Sequence, residues 1–254
     1  MTHQLRLLVV AVQFLTRLPV PTLRDFDPAW TTAAARWFPL VGVLIGALGA
    51  LVFVAGATVW PPSLAALVSV AATVLLTGAF HEDGLADAAA GLVGGTTRAR
   101  RLEIMKDSRI GTYGALALLL VVGVRVQALA SLPVTHAVAA LVVAHAGGRA
   151  AAVVVMRRLP YAGDRDWAKV KPVADGVTPI EVVVAVATAL LATLPLAWLD
   201  PRSALVAVAA GTVATALLAV RTARSIGGWV GDTLGAGEQC FEAACLLGVA
   251  AVAP

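Results

Sequence analysis

Apolar segments long enough to cross a membrane recur along the whole of this chain. About 18 or more mainly apolar residues in a row span the hydrocarbon core of a bilayer, roughly 30 Å, as a helix. Six segments reach or nearly reach this length, and a seventh is shorter. They run approximately from Phe38 to Trp60, Ser63 to Phe80, Tyr113 to Leu132, Ala137 to Met156, Ile180 to Leu199, Ala204 to Val220, and Phe241 to Val252. Because no linker rich in Pro, Gly or Ser separates them, we expect a single membrane domain over residues 1–254.

The composition supports a membrane environment. Hydrophobic residues make up 59% of the chain and charged residues only 13%, whereas soluble domains carry about 25% charged residues. In lipid the backbone must satisfy its own hydrogen bonds, and these Ala, Leu and Val runs lack the alternation of barrel strands. The predicted fold is therefore an all-α, polytopic helical bundle with about six to seven transmembrane helices.

The charged residues predict an orientation. The connections after the first, third and fifth segments are short, and the other connections are long and ionic. Of the 19 Lys and Arg residues, Arg202 alone lies in the short set, while Arg125 and Arg149 lie inside apolar segments. The positive-inside rule makes the ionic face cytoplasmic. Since nearly all carboxylates lie on the same face, we expect a polar active site that faces the cytoplasm.

Two smaller features have simple interpretations. Residues 1–21 resemble a signal peptide, but Gln13 and Arg17 interrupt the apolar run and no small-residue cleavage site follows, so an interfacial helix is favoured. Cys240 and Cys245 lack metal-site or redox spacing and are interpreted as packing residues.

The stretch FHEDGLADAAAG, residues 80–91, places acids at the end of the second apolar segment. Asp83 and Asp87 are four residues apart, so they share a face if the helix of that segment continues through them. Such a pair is unfavourable on a bare helix but suits Mg²⁺, which takes carboxylate oxygens. His81 and Glu82 add an acid/base group and a further oxygen ligand, and Gly91 is expected to end the helix. The alternative is that these acids are only the solvated end of a span.

Cations follow directly, in TTRARRLEIMKDSRIGTYG. They are Arg98, Arg100, Arg101, Lys106 and Arg109. Cations beside a carboxylate-bound metal are suited to a diphosphate, because together they neutralise charge on a transferring phosphoryl group. Asp107 and the Ser108 hydroxyl lie in the same loop. The open alternative is a salt-bridged surface helix.

Two further features are compatible with an anionic ligand. A glycine-rich stretch, residues 222–239, includes Gly228, Gly231 and Asp232, and its backbone N–H groups could meet phosphate oxygens. A flexible re-entrant turn explains it equally well. Arg125 and Arg149 lie within apolar segments, where ionisable residues are costly and are by default functional or paired. Arg149 could reach an anionic ligand, or be a snorkelling or salt-bridged side chain.

An ordered set of motifs along the chain resembles one known family. The motifs are QFLTRLPVP (13–21), FPLVG (38–42), HEDGLAD (81–87), IMKDSRIGTYGALAL (104–118), GRAA beginning Gly148, LPYA (159–162) and GGWVGDTLGA (227–236). Together they are similar to the cobalamin synthase family, adenosylcobinamide-GDP ribazoletransferase. The resemblance runs essentially from end to end, and HEDGLAD followed by IMKDSRIG carries most of its specificity.

The resemblance implies a reaction. Members join α-ribazole or its 5′-phosphate to adenosylcobinamide-GDP and release GMP, with Mg²⁺, at the cytoplasmic membrane of bacteria. The implied partners are these two substrates and the lipid bilayer, with no nucleic acid; a second copy of the chain and other late cobalamin-pathway enzymes are further candidates.

The resemblance also implies roles for particular residues. Asp83 and Asp87 would hold the metal, with Glu82 and Asp232 as further ligands. Lys106 and Arg109 would steady the phosphates, Asp107 would be a second metal ligand or the base, and His81 would be an acid/base group or orient Asp83. Substrate binding would fall to a set with donor groups: Arg17, Ser108, Arg149, Gly228 and Gly231.

One position departs from the family pattern. Where the family usually reads DGLADTADG, this chain reads DGLADAAAG, so Ala90 replaces an expected acid.

Two other functions remain as alternatives. A CDP-alcohol phosphotransferase would need an Asp-Gly-x-x-Ala-Arg signature that DGLAD lacks, and a transporter of anionic nucleotides would place its site near the bilayer midplane.

Overall fold

The computed structural model describes residues 2–23, 26–107, 109–163 and 177–253. In these ranges the regular secondary structure consists of helices, with one isolated parallel bridge between Tyr161 and Trp229. The helices are α1 (His3–Leu15), α2 (Ala29–Ala33) continued by a 3-10 helix (Ala34–Trp37), α3 (Phe38–Ala57), α4 (Pro62–Thr77), α5 (Phe80–Gly94), α6 (Arg98–Met105), α7 (Thr112–Ala130), α8 (Val134–Arg158), α9 (Pro179–Leu199), α10 (Pro201–Ile226) and α11 (Gly231–Ala250). The all-α prediction is confirmed.

Five helical stretches in the described ranges are long and apolar enough to cross a membrane. They are Ala29–Ala57, Thr112–Ala130, Val134–Arg158, Pro179–Leu199 and Pro201–Ile226. These correspond to the first, third, fourth, fifth and sixth predicted segments. A sixth span exists if α4 and α5 are counted together. The chain is therefore built as a polytopic helical membrane protein.

The second predicted segment does not continue as one helix into the acidic stretch. Helix α4 ends at Thr77, and Gly78 and Ala79 both take left-handed backbone angles, with φ of 66° and 57°. Helix α5 then leaves at 91° to α4. The expectation of a continuous helix is wrong, but Asp83 and Asp87 still share a helix because both lie in α5. That helix also runs past Gly91 to Gly94.

The seventh predicted segment is the second half of α11, which begins ten residues earlier at Gly231. Glu238, Gln239 and Glu242 lie in the middle of this helix and are all buried. The glycine-rich stretch is thus not one long loop. Only the residues between Ile226 and Gly231 form a turn, with Gly227 in the left-handed region at φ 88°.

Helix α8 lies at the centre of the bundle and packs against α3, α9 and α11. Glycines allow the closest of these contacts. A Cβ on Gly46 of α3 would lie 2.6 Å from the carbonyl oxygen of Leu141 in α8, and Gly42 meets the His145 carbonyl at still shorter range. Small residues therefore bring the backbones of α3 and α8 together, as in other membrane helix pairs.

Helix α1 is an amphipathic helix packed on the bundle. Leu7, Val10, Ala11 and Leu15 are buried in one cluster with Phe38. Its location at a membrane interface stays a prediction.

At the other end of the chain, Cys245 is fully buried in the hydrophobic core and Cys240 is half-buried. Both thiols are free, in agreement with their interpretation as packing residues.

Candidate functional site

Helix α5 separates its polar residues onto two sides. His81 and Glu82 are buried, Asp83 is exposed and Asp87 is half-buried. The Asp83 amide donates to the Ala79 carbonyl at 2.8 Å, so the acidic residues begin in the first turn after the break. The structure therefore divides the predicted set: two aspartates remain accessible, while His81 and Glu82 point into the protein.

The start of α11 packs against this acidic turn. A Cβ on Gly84 would lie 2.9 Å from the carbonyl oxygen and 3.1 Å from the Cα of Asp232. Only a glycine permits two helix backbones to approach so closely. Asp232 lies in the first turn of α11 and is half-buried. The fold thus brings Asp232 beside the turn that carries Asp83 and Asp87.

The two glycines predicted to bind substrate have different surroundings. Gly228 is buried, and a Cβ there would collide with the Pro160 carbonyl oxygen. The Trp229 amide donates to that same oxygen at 3.0 Å. Gly231 is exposed at the first position of α11, with open space around it. The role of Gly228 visible here is close packing, and only Gly231 offers an accessible backbone.

Helix α6 lies against both α5 and the end of α10. Gly91 of α5 makes room for Met105, whose Cγ would be 2.5 Å from a Cβ at position 91. Arg98 donates to the carbonyl oxygens of Ile226 at 2.8 Å and Ala162 at 2.6 Å, and Arg101 donates to Ser225 at 3.0 Å. Two of the five predicted phosphate-facing cations therefore hold backbone carbonyls at the end of α10.

The remaining predicted cations are at the surface. Arg100 pairs with Glu103 at 2.8 Å, and Lys106 is exposed at the end of α6. Asp107 and Arg109 pair with each other, with 2.6 Å between Arg109 Nη2 and Asp107 Oδ2. Hydrogen bonds from Arg109 lower the pKa of the Asp107 carboxyl to about 2. Ser108, between them, lies outside the described residues.

Arg17 reaches the site from a distant part of the sequence. Its backbone N–H donates to the Leu76 carbonyl at 2.7 Å, and its guanidinium lies directly over Gly78. The side chain is exposed. Arg17 therefore covers the break between α4 and α5, next to the turn that carries Asp83.

A buried ionic network occupies the interior behind these accessible residues. Its centre is Arg125 of α7, which lies 3.2 Å from Glu82, 2.6 Å from Gln239 and 2.8 Å from Glu242. Gln239 and Glu242 belong to α11, and Glu82 belongs to α5. Arg125 consequently joins three helices through one fully buried side chain.

Arg149 and two histidines complete the network. Arg149 is fully buried and lies 3.2 Å from Glu242 and 3.6 Å from Glu238. His145 Nδ1 is 2.6 Å from Glu242, and His81 Nε2 is 2.8 Å from Glu238. Of the two interpretations of Arg149, the geometry favours the salt-bridged side chain. His81 faces Glu238 rather than serving as an exposed group beside Asp83.

The sequence reasoning missed Glu238, Gln239, Glu242 and His145. A signal was present, because Glu238 and Glu242 are one helical turn apart within an apolar region, and so are His145 and Arg149. Ionisable residues inside apolar spans mark paired or functional groups. The pairing across helices could not be read from one sequence.

The carboxylates agree in chemistry with a magnesium site that substrate completes. Mg²⁺ is usually held by one or two carboxylates together with substrate phosphates, and Asp83 and Asp87 of α5 with Asp232 of α11 are the carboxylates that would be its protein ligands. Within the described ranges no group of three or more His, Cys, Asp or Glu side chains could hold a metal by itself. Glu82 does not fit this set, since its carboxylate contacts Arg125.

Comparison with known proteins identifies the relatives of this chain. The sequence profile of the family described as cobalamin-5-phosphate synthase matches residues 7–250. A protein of Leptothrix cholodnii named adenosylcobinamide-GDP ribazoletransferase is 48% identical over 97% of this chain and 95% of its own length. Proteins of the same name from Shewanella amazonensis (41% identical, 94% of this chain, 93% of theirs) and Vibrio cholerae (39%, 94% and 91%) are also similar. No solved structure matches the chain.

Proposed function

The chain belongs to the cobalamin-5-phosphate synthase family, and on that premise we propose that it is an adenosylcobinamide-GDP ribazoletransferase. The observation that carries the proposal is the 48% identity, over 97% of the chain, to a protein of that name. The same match favours the transferase over the CDP-alcohol phosphotransferase and transporter alternatives.

The proposed reaction is a phosphoryl transfer. A ribose hydroxyl of α-ribazole, or of its 5′-phosphate, attacks the corrinoid-side phosphorus of adenosylcobinamide-GDP. An oxygen–phosphorus bond forms, the bond from that phosphorus to the bridging oxygen breaks, and GMP leaves with the bridging oxygen. The hydroxyl proton passes to a base. The products are GMP and adenosylcobalamin or its 5′-phosphate.

A divalent cation fits the accessible carboxylates. Asp83 and Asp87, one helical turn apart on α5, and Asp232 at the start of α11 would hold Mg²⁺. When bound, the cation would neutralise charge on the diphosphate and align it. Accessibility of Asp83 and the close packing of Gly84 on Asp232 support this assignment.

The protein's own side chains would bind and orient the diphosphate. Lys106 and Arg109 are exposed beside the acidic helix, and Arg17 lies over its start. Arg109 would exchange its carboxylate partner for a phosphate, which leaves Asp107 available to accept the hydroxyl proton. Ionised Asp107 would otherwise be a weak base, because its pKa is about 2 while paired.

We place the enzyme in the bacterial cytoplasmic membrane, with this site facing the cytoplasm. The support is the positive-inside rule: Lys106, Arg109 and Arg17 lie at the same ends of the helices as most other basic residues. A second copy of the chain or another late-pathway enzyme remains a candidate partner.

The decisive experiment measures GMP release by the purified protein in detergent or nanodiscs. The substrates are adenosylcobinamide-GDP and α-ribazole 5′-phosphate, with Mg²⁺ or with a chelator. GMP matched by a cobalamin product is the expected result, and it should require both substrates. GMP formed without the ribazole would instead identify a hydrolase, and no GMP from folded protein would refute the function.

A further inference from the structure

We propose that Arg125 is a positioning residue that fixes the accessible aspartates of α5 by holding Glu82. The inference deepens the proposed function and rests on it. It changes the role of Glu82 from metal ligand to anchor, and it gives the buried network a task in the phosphoryl transfer.

Glu82 and Asp83 are neighbours on one helix turn, so their side chains point about 100° apart around the helix axis. Glu82 points inward to Arg125 at 3.2 Å, and Asp83 is exposed. Fixing Glu82 therefore fixes the rotation of α5 about its own axis. That rotation decides where Asp83 and Asp87 face.

A second contact holds the same helix. His81 Nε2 lies 2.8 Å from Glu238 of α11, next to the glycine contact between α5 and α11. A Cβ on Gly235 of α11 would be 3.2 Å from the His81 carbonyl oxygen. Helix α5 is thus held at two consecutive positions immediately before Asp83: His81 contacts Glu238 of α11 directly, and Glu82 contacts Arg125 of α7.

Arg125 is itself held by residues of α11. Gln239 accepts a hydrogen bond from Nη1 at 2.6 Å, and Glu242 lies 2.8 Å from Nη2. Asp232, the aspartate of the site on α11, lies on the same helix as Gln239 and Glu242. Arg125 therefore ties the helix of Asp83 and Asp87 to the helix of Asp232, through Glu82 on one side and Gln239 on the other.

A buried ion pair adds little net stability compared with apolar residues, because desolvation of the charges offsets their attraction, although removal of one partner leaves the other charge unpaired and destabilises the fold. Position is a stronger reason to keep one, since displacement of a catalytic group by about 1 Å can cost about 100-fold in rate. Partners that orient metal ligands typically change metal affinity or activity by about 10–100-fold when mutated. The buried network contacts the residues directly before Asp83, so it is placed to orient the proposed metal ligands.

The chain provides a matched control. Glu181 of α9 is also a buried carboxylate, and it pairs with Arg36 of the 3-10 helix. It joins α9 to the segment before α3. Glu181→Gln therefore removes the charge of a buried ion pair outside the network, and it reports the effect of lost stability alone.

The test compares purified wild type, Glu82→Gln, Arg125→Gln, the double variant and Glu181→Gln. Mn²⁺ binding in the presence of adenosylcobinamide-GDP is followed by the loss of its free EPR signal, with a protein-free sample subtracted, and thermal stability is recorded in parallel. The Mg²⁺ concentration that half-saturates GMP release is a second measure. If Arg125→Gln does not fold, Glu82→Gln and Arg125→Lys, which keeps the charge without the planar fork, carry the comparison.

The expected result is a 10–100-fold weaker affinity for Mn²⁺ in both single variants. The double variant should be no worse than the singles, since both changes break one link. Glu181→Gln should lose stability but bind Mn²⁺ within about twofold of wild type. A direct ligand role for Glu82 would give additive losses and overturn the proposal, as would unchanged binding in Arg125→Gln. Absence of GMP release from wild type would refute the function instead.

Discussion

Gly84 of α5 and Asp232 of α11 are in backbone contact: a Cβ on Gly84 would lie 2.9 Å from the Asp232 carbonyl oxygen. This contact joins the acidic turn of α5 to the start of α11. Because the atom in the way is backbone, the helices themselves must separate to admit a side chain. The distance between the α5 and α11 parts of the candidate site therefore depends on the absence of a side chain at position 84.

Gly84→Ala should lower both stability and GMP release. Overpacking costs about 1–3 kcal/mol, which outweighs the gain of about 0.5–1 kcal/mol from replacing glycine in a helix. Thermal unfolding in detergent measures the first effect. The control is Gly123→Ala in α7, where no neighbouring atom lies within 4 Å of the added Cβ. Equal stability of the two variants would contradict the close contact.

Arg98→Gln should destabilise the protein through the end of α10. Arg98 supplies hydrogen bonds to the carbonyls of Ile226 and Ala162, and a hydrogen bond to a charged group contributes about 1.5–3 kcal/mol. Arg100→Gln, two residues along the same helix, removes only an exposed pair with Glu103 and should change stability by less than about 0.5 kcal/mol. Chemical unfolding of both variants gives the comparison; equal losses would refute a capping role.

The helices that cross the membrane could be predicted because an apolar run of sufficient length has only one stable form in lipid. The break at Gly78 and Ala79 could not. Ala79 adopts a left-handed conformation that alanine rarely takes, and Arg17, distant in sequence, packs over Gly78. Gly78 is a usual residue for a helix C-terminus, but a single glycine within an apolar run does not specify the left-handed Ala79 or the 91° bend, which tertiary contacts set.

The candidate site could be predicted only in part, because some of its residues are neighbours in the sequence and others are far apart. Asp83 and Asp87 stand out because they follow an apolar run, and Lys106, Asp107 and Arg109 are their neighbours in the sequence. Glu238 and Glu242 are separated from Arg125 by more than a hundred residues. Their pairing depends on how α7 packs against α11, and a single sequence holds no record of that packing.

Asp83→Asn should reduce GMP release by more than about 100-fold while the protein still inserts and folds. The change removes the charge from a proposed magnesium ligand and leaves every apolar contact in place. Asp27→Asn is the matched control, because Asp27 is an exposed residue just before α2 whose side chain accepts a hydrogen bond from the Ala29 amide, as asparagine also can. Rates are measured with saturating substrates over a range of Mg²⁺. Full activity of Asp83→Asn would refute the metal assignment.

Ala90→Asp should lower the Mg²⁺ concentration that half-saturates the reaction. Position 90 follows Asp83 and Asp87 at helical spacing and is half-buried on α5, so a carboxylate there adds an oxygen ligand to the same face. Without metal, the added like charge should reduce thermal stability slightly. Ala89→Asp, one residue earlier and turned by about 100°, is the control. Unchanged Mg²⁺ dependence in Ala90→Asp would mean that substrate phosphates already complete the coordination.

Asp107 should remain ionised across the physiological pH range. Its folded-state pKa is lowered from 3.8 to about 2 by Arg109, so the stability that comes from this pairing is present above about pH 4 and is lost as the pH falls toward 2. Asp107→Asn should therefore reduce kcat/KM without changing the shape of its pH profile between pH 5 and 8. An acid limb of kcat/KM near pH 6 that disappears in Asp107→Asn would contradict the Arg109 pairing in the free enzyme. Transfer of Arg109 to the substrate phosphate would raise the pKa of Asp107 only in the substrate complex, so it would be visible in the pH profile of kcat instead.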